Sequence, residues 1–188
     1  MTRHRALLIA ACVTLTLAAC AKAQPRQRPL KTTPIASGEG TMEAERTRLQ
    51  GRWALVSLTV APENGQPSAV DATGVLTFDN FGNLQIEYRM SEAGRQTLES
   101  LGIRVPNPVL STAGNVAIDR VKKQITYVGA ENQKKALGFD PDLAARRANP
   151  FTLERVRYYR FEPDGGLTLM TRHENGREAA TAQWKRGS

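Results

Sequence analysis

The stretch Leu49-Gln-Gly-Arg-Trp-Ala-Leu-Val-Ser-Leu-Thr-Val60 decides the fold class of this 188-residue chain. It contains the β-branched residues Val56, Thr59 and Val60, which suit a pleated strand. The segment Pro62-Glu-Asn-Gly65 follows, and its Asn-Gly pair is a strong reversal signal. Odd and even positions of the stretch are both largely apolar, so we expect the first strand, 49–60, to be covered on both faces.

Short apolar runs separated by tight turns make up the rest of the chain. The clearest alternation covers 83–90, where Leu84, Ile86 and Tyr88 alternate with polar residues. Short strands with such turns favour an antiparallel meander, and eight strands can close into a barrel. The predicted fold is therefore all-β, an antiparallel up-and-down β-barrel of about eight strands. The predicted strands are 49–60, 73–79, 83–90, 115–119, 124–128, 155–161, 167–173 and 178–185.

One or two short inserted helices accompany the predicted strands. Thr41 can cap a short helix over 42–49, just before the first strand. Ser91 can cap another over 92–101, with Gly102 in the position beyond its end that favours glycine.

Two connections, 91–110 and 130–150, are long for hairpin loops, which run about 2–5 residues. They act either as lids at the mouth of the barrel or as covers over an apolar outer face. Asp140-Pro141 has the pattern of a helix start within the second connection, and we expect Pro150 to end that helix. The same connection holds basic pairs that fit either an anion contact or a solvated loop face. These pairs are Lys134-Lys135 and Arg146-Arg147.

The N-terminus has the pattern of a secretory leader. Arg3-His4-Arg5 precedes an apolar run from Ala6 to Ala19, which is shorter than the roughly 20 residues of a spanning helix. The run ends in Leu17-Ala18-Ala19-Cys20, which resembles the lipobox of bacterial lipoproteins. The resemblance implies a signal peptide, 1–19, and a lipid-attachment site at Cys20. The alternative is an ordinary signal peptide with an incidental cysteine.

The lipobox resemblance also implies where the chain resides. Ala21 follows the cysteine, and in enterobacterial-type sorting a residue other than Asp there implies the outer membrane. We therefore expect a lipid-anchored protein of the bacterial cell envelope, at the outer membrane and facing the periplasm. Its partner there is the membrane, through the acyl chains on Cys20. The segment 20–41 is rich in Pro and poor in apolar residues, as in a flexible tether, and the barrel domain is 42–188.

The charge of the chain is concentrated in its first part. The formal net charge is +8, but residues 1–40 carry six of the 26 basic and one of the 18 acidic residues, which leaves +3 for the rest. The basic excess lies where anionic lipid headgroups are the natural partner. Aromatic residues make up 6% of the chain, which is poor for base stacking, so no nucleic-acid partner is expected.

Residues for enzyme chemistry are sparse. His173 is the single histidine after the leader, and Cys20 is the last cysteine, so neither a metal site nor a Ser-His-Asp arrangement is expected. His173 falls near a hairpin turn and is expected to be an exposed residue at a strand end. Asp79 and Glu87 form a conceivable carboxylate pair, but the alternation of their strands points to solvent. We expect a protein that is not an enzyme, with no cofactor and no metal.

Two short motifs resemble those of calycins, most closely the bacterial lipocalin-like families. Gly51-Arg52-Trp53 is similar to the Gly-x-Trp motif of the first lipocalin strand, and Gln183-Trp184-Lys185-Arg186 resembles the Trp-x-Arg ending of lipocalin-like domains. The resemblance implies that Gly51 and Trp53 lie in the barrel floor with Arg186 stacked across the indole, a contact worth about 0.5–2 kcal/mol. The chain departs from the family in placing a helix after the third strand and in lacking a Thr-Asp-Tyr motif.

Two function classes remain open. In the first, the barrel binds a small hydrophobic or amphiphilic ligand, and Tyr88, Tyr127 and Tyr159 supply rings with polar ends as ligand-binding residues. In the second, side chains fill the barrel and its outer surface is an envelope structural or protein-interaction module, with protein partners unknown. The volume of the barrel interior discriminates between them. The expected inward residues are Trp53, Leu55, Leu84, Ile86, Tyr88, Ile125, Tyr127, Tyr159, Phe161, Leu167 and Leu169.

Overall fold

The structure is a computed structural model that describes residues 38, 40–105, 107–129 and 149–187. The predicted signal peptide, Cys20, most of the tether, the helix start at Asp140-Pro141 and the basic pairs of 134–147 lie outside the described residues. Within the described ranges, the helices are α1 (Met42–Leu49) and α2 (Glu92–Ser100). The strands are β1 (Gly51–Val60), β2 (Ser68–Ala69), β3 (Ala72–Phe78), β4 (Asn83–Met90), β5 (Val109–Asp119), β6 (Gln124–Tyr127), β7 (Arg157–Phe161), β8 (Leu167–Arg172) and β9 (Glu178–Arg186).

The strands close into an antiparallel barrel. Each of β3 to β8 pairs with the next strand, β1 pairs with β3, and β9 returns to pair with β1. The two-residue β2 only extends the edge of β1, so eight strands form the wall and the predicted fold class is confirmed. The end that carries α1 and the turns 79–82, 120–123 and 162–166 is called the floor. The opposite end, where α2 and the segment 149–156 lie, is called the mouth.

A β-bulge in β1 corrects the prediction that both faces of this strand are covered. The register with β9 shifts between Leu55 and Ser57, so one extra residue is accommodated there. Before the bulge the buried residue is Trp53, and after it the buried residues are Leu58 and Val60. Val56, in the bulge, is 57% exposed. The inward-facing residues have odd numbers before the bulge and even numbers after it. Odd and even positions are both apolar for this reason, not because both faces of the strand are buried.

Two further strand boundaries differ from the prediction. The predicted strand 115–119 begins at Val109, because the first half of β5 pairs with β4 from Arg89↔Val109 to Asn83↔Asn115. This half is rich in small and polar residues and follows Pro106 and Pro108, so it lacks an apolar strand pattern. Leu49, predicted at the start of the first strand, ends α1 instead.

Both predicted helices are present. The Thr41 side chain accepts a hydrogen bond from Ala44 N at 3.2 Å, which caps α1. Ser91 caps α2 in the same way, accepting from Gly94 N at 3.0 Å. Glycine costs a helix about 1 kcal/mol, but a Cβ on Gly94 would lie 2.1 Å from the Asp71 carbonyl oxygen. The helix therefore packs against the chain at a distance that only glycine permits.

The barrel interior is a continuous apolar core, and it contains every inward residue predicted from the alternation. Trp53, Trp184 and Tyr159 are its largest fully buried side chains. Leu55, Tyr88 and Phe161 are partly buried and pack against the same core. Within the described ranges, no helix has the length and apolarity needed to cross a bilayer.

Candidate functional site

The floor is sealed by a stacked tryptophan and arginine. Trp53 is 1% exposed, and its indole Nε1 donates a hydrogen bond to the Leu49 carbonyl at 2.9 Å. Trp53 and Arg186 are register partners of β1 and β9, and the Arg186 guanidinium carbon lies 4.5 Å from the indole centroid. The expected stacking contact is thus present. Arg186 also donates to the carbonyls of Gln50 at 2.6 Å and Arg48 at 2.7 Å, which ties the last strand to the end of α1.

Gly51 is required by this stacking. Its φ of +116° lies in the region that favours glycine. A Cβ at this position would stand 2.9 Å from Nη1 of Arg186. The Gly-x-Trp motif therefore provides the flat indole at Trp53 and, at Gly51, the space through which the guanidinium reaches the helix carbonyls.

A second polar cluster joins α1 to the floor. The carboxylate of Glu45 is 6% exposed, pairs with the ammonium of Lys123 and accepts a hydrogen bond from the Tyr159 hydroxyl at 2.7 Å. Burial raises the pKa of the Glu45 carboxyl, but the hydrogen bonds from Lys123 and Tyr159 outweigh it and bring the net pKa below its usual value. Tyr159 is thereby committed to the floor, and its pKa is raised by burial and by the bond that it donates to Glu45.

The mouth differs from the floor in having open space. A cavity of about 250 Å³ is lined by strands β4 and β5 and by the segment 149–156. Its apolar lining comes from Ile86, Leu110, Phe151 and Leu153, and Tyr88 stands at its side. The rest of its wall is polar and consists of Ser111, Thr112, Asn149, Thr152 and Glu154. Small-molecule sites typically measure about 300–1,000 Å³, so this cavity is slightly smaller than that range.

A second, smaller cavity of about 20 Å³ lies in the barrel interior next to the first. Ile86, Tyr88 and Phe151 line both cavities. The Phe151 ring packs on the Tyr88 ring with centroids 5.4 Å apart, and Tyr88 also contacts the Trp184 ring at 5.5 Å. The rest of the small cavity's wall includes two polar residues, Arg157 and Thr171, together with apolar neighbours.

Arg157 is a buried cation that the sequence reading missed. It is 4% exposed and begins β7 on the inward face. It donates to the carbonyls of Arg155 at 2.9 Å and Thr152 at 3.2 Å, and its guanidinium carbon lies 4.7 Å from the Tyr127 ring centroid. No carboxylate in the described part of the chain forms a salt bridge with it. Burial lowers the pKa of Arg157, while Tyr127, Tyr88 and Glu154 act against that shift.

Two buried polar atoms of the barrel lack a hydrogen-bond partner among the described residues, and one of them, in Thr171, lines the small cavity. They are the hydroxyl of Thr171, which is 7% exposed, and the indole N–H of Trp184. Buried polar groups without partners are rare in folded proteins, and each one calls for an explanation. The strand alternation could have identified both side chains as inward-facing. Thr171 lies two residues after the inward Leu169, and Arg157 lies two residues before the inward Tyr159.

The three tyrosines proposed from the sequence are therefore placed differently. Tyr88 lines both cavities, and its hydroxyl has no partner in the described ranges. The Tyr127 hydroxyl is bonded to Thr112 at 3.1 Å and to the Leu84 carbonyl at 3.2 Å, and its ring supports Arg157. Tyr159 lies at the floor. The structure brings Tyr88 and Tyr127 into the region of Arg157 but does not bring Tyr159 there.

The side chains considered for catalysis have structural contacts. His173 is half-buried, not exposed as predicted, because Nε2 lies 2.8 Å from the Ala61 carbonyl oxygen. The Asp79 carboxylate accepts from the N–H groups of Phe81 and Asn83, and the side-chain bond from Asn83 lowers its pKa. Glu87 pairs with Arg89 at 3.3 Å on the outer face. Among the described residues, no three His, Cys, Asp or Glu side chains are grouped to hold a metal ion.

Fold and site together define a closed antiparallel β-barrel of eight strands with an open cavity at one end. No protein-family model and no curated protein matches the chain. The solved structures that it resembles include a redesigned β-barrel, which is 15% identical, with the match covering 76% of this chain and 95% of the other at a TM-score of 0.34.

Proposed function

We propose that the chain is a membrane-anchored lipoprotein whose lipocalin-like barrel binds a small hydrophobic or amphiphilic molecule at its mouth. The observation that supports the proposal is the cavity of about 250 Å³, which has apolar and polar walls and, at its side, a Tyr88 hydroxyl with no hydrogen bond to a described residue. A concave site that combines apolar side chains with placed polar groups is the usual form of a small-molecule site. The role assigned is binding, not catalysis.

The anchoring part of the proposal rests on the leader. Leu17-Ala18-Ala19-Cys20 resembles a lipobox, and two or three acyl chains on Cys20 hold a protein stably at a membrane where a single chain is marginal. The proposed location is the outer membrane of a bacterial cell envelope, on its periplasmic side. Cys20→Ala should abolish acylation and release the protein from the membrane fraction. Membrane association of Cys20→Ala, combined with a wild type that carries no acyl mass, would refute the anchor.

The second candidate function, an envelope structural or protein-interaction module, is favoured by a different observation. The barrel axis is largely filled by side chains, and the cavity beside Arg157 measures only about 20 Å³. A barrel filled in this way needs no ligand for its stability. The two candidates differ in one measurable property, which is saturable binding of an amphiphile.

The test uses a fluorescent fatty acid and the chain from residue 21 to 188, which contains every described residue. Trp184 touches Tyr88, whereas Trp53 lies at the floor, so saturable binding should change the emission of Trp184. Trp184→Phe should remove that signal, and Trp53→Phe should keep it.

Tyr88→Ala should weaken the binding at least about tenfold, the scale of a lost buried contact. Tyr158→Ala is the matched control, because Tyr158 is also a tyrosine of the barrel wall. It lies on β7, its ring is covered by the Arg172 guanidinium, and it does not line the cavity. It should bind as the wild type does. If a broad panel of amphiphiles shows no saturable binding to the folded protein, the binding proposal fails and the interaction module replaces it.

A further inference from the structure

We propose that the ligand is an anionic amphiphile, and that its carboxylate binds in the small cavity at Arg157 while its apolar part occupies the larger cavity. This inference rests on the proposed function and names the chemical class of its ligand. The residues that carry it are Arg157, Thr171 and Tyr88, with Phe151 between the two cavities.

The charge of Arg157 is the first argument. A guanidinium that is 4% exposed has lost most of its hydration, and the effective cost of burying an ion is several kcal/mol unless a counter-charge and hydrogen bonds offset it. Two backbone carbonyls and the Tyr127 ring supply partial negative charge, but no carboxylate among the described residues pairs with Arg157. A guanidinium has five N–H donors, and the two bonds to carbonyls leave the other donors available for a further hydrogen bond. A carboxylate ligand would complete the pair, since its two oxygens match the arginine fork.

The unpartnered hydroxyls are the second argument. Thr171, whose Oγ1 is buried without a partner among the described residues, lines the same small cavity as Arg157. Tyr88 lines it too, and its hydroxyl has no partner in the described ranges. Burial raises the pKa of Tyr88, so the phenol stays protonated and able to donate. An ionised carboxylate only accepts hydrogen bonds, and the three side chains around the cavity all donate.

The arrangement of the two cavities is the third argument. An amphiphile needs a polar subsite beside an apolar one, and the cavities share Ile86, Tyr88 and Phe151 as common walls. A volume of about 20 Å³ accommodates roughly one water molecule. A carboxylate therefore enters only when the Phe151 ring moves aside. Phe151 lies in the turn after Pro150 and not in a strand, so its displacement breaks no ladder hydrogen bond.

The alternative is that Arg157 has only a structural role. Its bonds to the Thr152 and Arg155 carbonyls hold the turn that carries Phe151, and Glu154 lies close enough to act on its pKa. An arginine with only this role stabilises the turn but gives no preference for the charge of a ligand. Head-group selectivity is therefore the readout that separates the two accounts.

The experiment compares decanoate, decanol and decylamine, which share one tail, by titration calorimetry on the chain from residue 21 to 188. Decanoate should bind about tenfold or more tightly than decanol, and decylamine most weakly, in line with hydrogen bonds to a charged group. Arg157→Met keeps an apolar stem and should abolish the preference, so that the variant binds decanoate no more tightly than it binds decanol. Arg157→Lys keeps the charge without the fork and should retain part of the preference.

Glu154→Gln provides a variant that leaves Arg157 in place. It removes the carboxylate that acts electrostatically on Arg157, so the affinity for decanoate should rise relative to that for decanol. The inference is overturned if the wild type binds decanoate no better than decanol, if Arg157→Met keeps the full preference for decanoate, or if Glu154→Gln lowers that preference. Each of these results leaves the proposed function intact. Failure of all three probes to bind overturns the proposed function itself. Should Arg157→Met not fold, the wild-type ranking and Glu154→Gln decide the question.

Discussion

The floor and the mouth of this barrel treat their polar groups in opposite ways. At the floor, Trp53 donates its N–H to a carbonyl, Arg186 donates to two carbonyls, and Glu45 is bonded to both a lysine and a tyrosine. Near the mouth, Arg157 has no carboxylate partner and the Thr171 hydroxyl has no hydrogen-bond partner among the described residues. The satisfied end closes the barrel, and the donors left without partners near the mouth are those that the proposed ligand would use.

Removal of the Trp53 side chain should produce the largest effect on the floor. Trp53→Ala should lower the free energy of unfolding by about 3–5 kcal/mol, because it leaves a cavity and strips Arg186 of its aromatic surface. The measurement is denaturant unfolding followed by circular dichroism. Phe81→Ala is the control, since Phe81 is 79% exposed in a floor turn and should change stability by less than about 0.5 kcal/mol. If Trp53→Ala lowers the free energy of unfolding as little as Phe81→Ala does, the floor is not the end that stabilises the barrel.

The Glu45 cluster should contribute the next largest amount. Glu45→Gln should cost about 1–3 kcal/mol near neutral pH, because it removes the charged acceptor for Lys123 and Tyr159. The folded pKa of Glu45 is below the ordinary value of 4.5, so its contribution is complete above about that pH and declines as the pH falls through the folded pKa. The difference in unfolding free energy between wild type and variant should therefore shrink at about pH 3. A difference that stays constant with pH would show that the carboxylate is not held in its ionised form.

The smallest effects come from one substitution made at both ends. Tyr159→Phe removes a hydroxyl that donates to Glu45 and should cost about 1 kcal/mol of unfolding free energy. Tyr88→Phe removes a hydroxyl with no partner in the described ranges and should change stability by less than about 0.5 kcal/mol. Calorimetry should show the reverse order for decanoate, whose binding weakens in Tyr88→Phe but not in Tyr159→Phe. Equal losses of stability at the two tyrosines would contradict the contrast between the ends.

The fold was predictable because its signals are local. The alternation over 83–90, the turn pairs and the caps at Thr41 and Ser91 act on neighbouring residues, and the structure places them as expected. The bulge in β1 was not predictable, since it is defined by the pairing with β9 and not by any residue at the bulge. The first half of β5 escaped detection for a similar reason: its small residues are strand-forming only beside β4.

The candidate site was predicted only in part. Tyr88 was identified because a tyrosine fits the expectation of an apolar interior with a polar end. Arg157 has the same parity as Tyr159, so the alternation placed it inward, but arginine is rarely fully buried without a partner and was not considered as a core residue. Tyr159 was assigned to a ligand because nothing in the sequence shows that Glu45, 114 residues away, would accept its hydroxyl.

The pairing of β1 with β9 has a consequence for how the chain folds. Arg186 donates to the Gln50 carbonyl across 136 residues of sequence, so the barrel closes only through contact between its two ends. Such long-range closure carries a large loop entropy and is slow compared with the formation of local hairpins. A chain that lacks the last strand has two open sheet edges, at β1 and β8, which are free to pair with other chains. We therefore expect the β1–β9 pairing, and with it the Trp53–Arg186 contact, to form after the local hairpins.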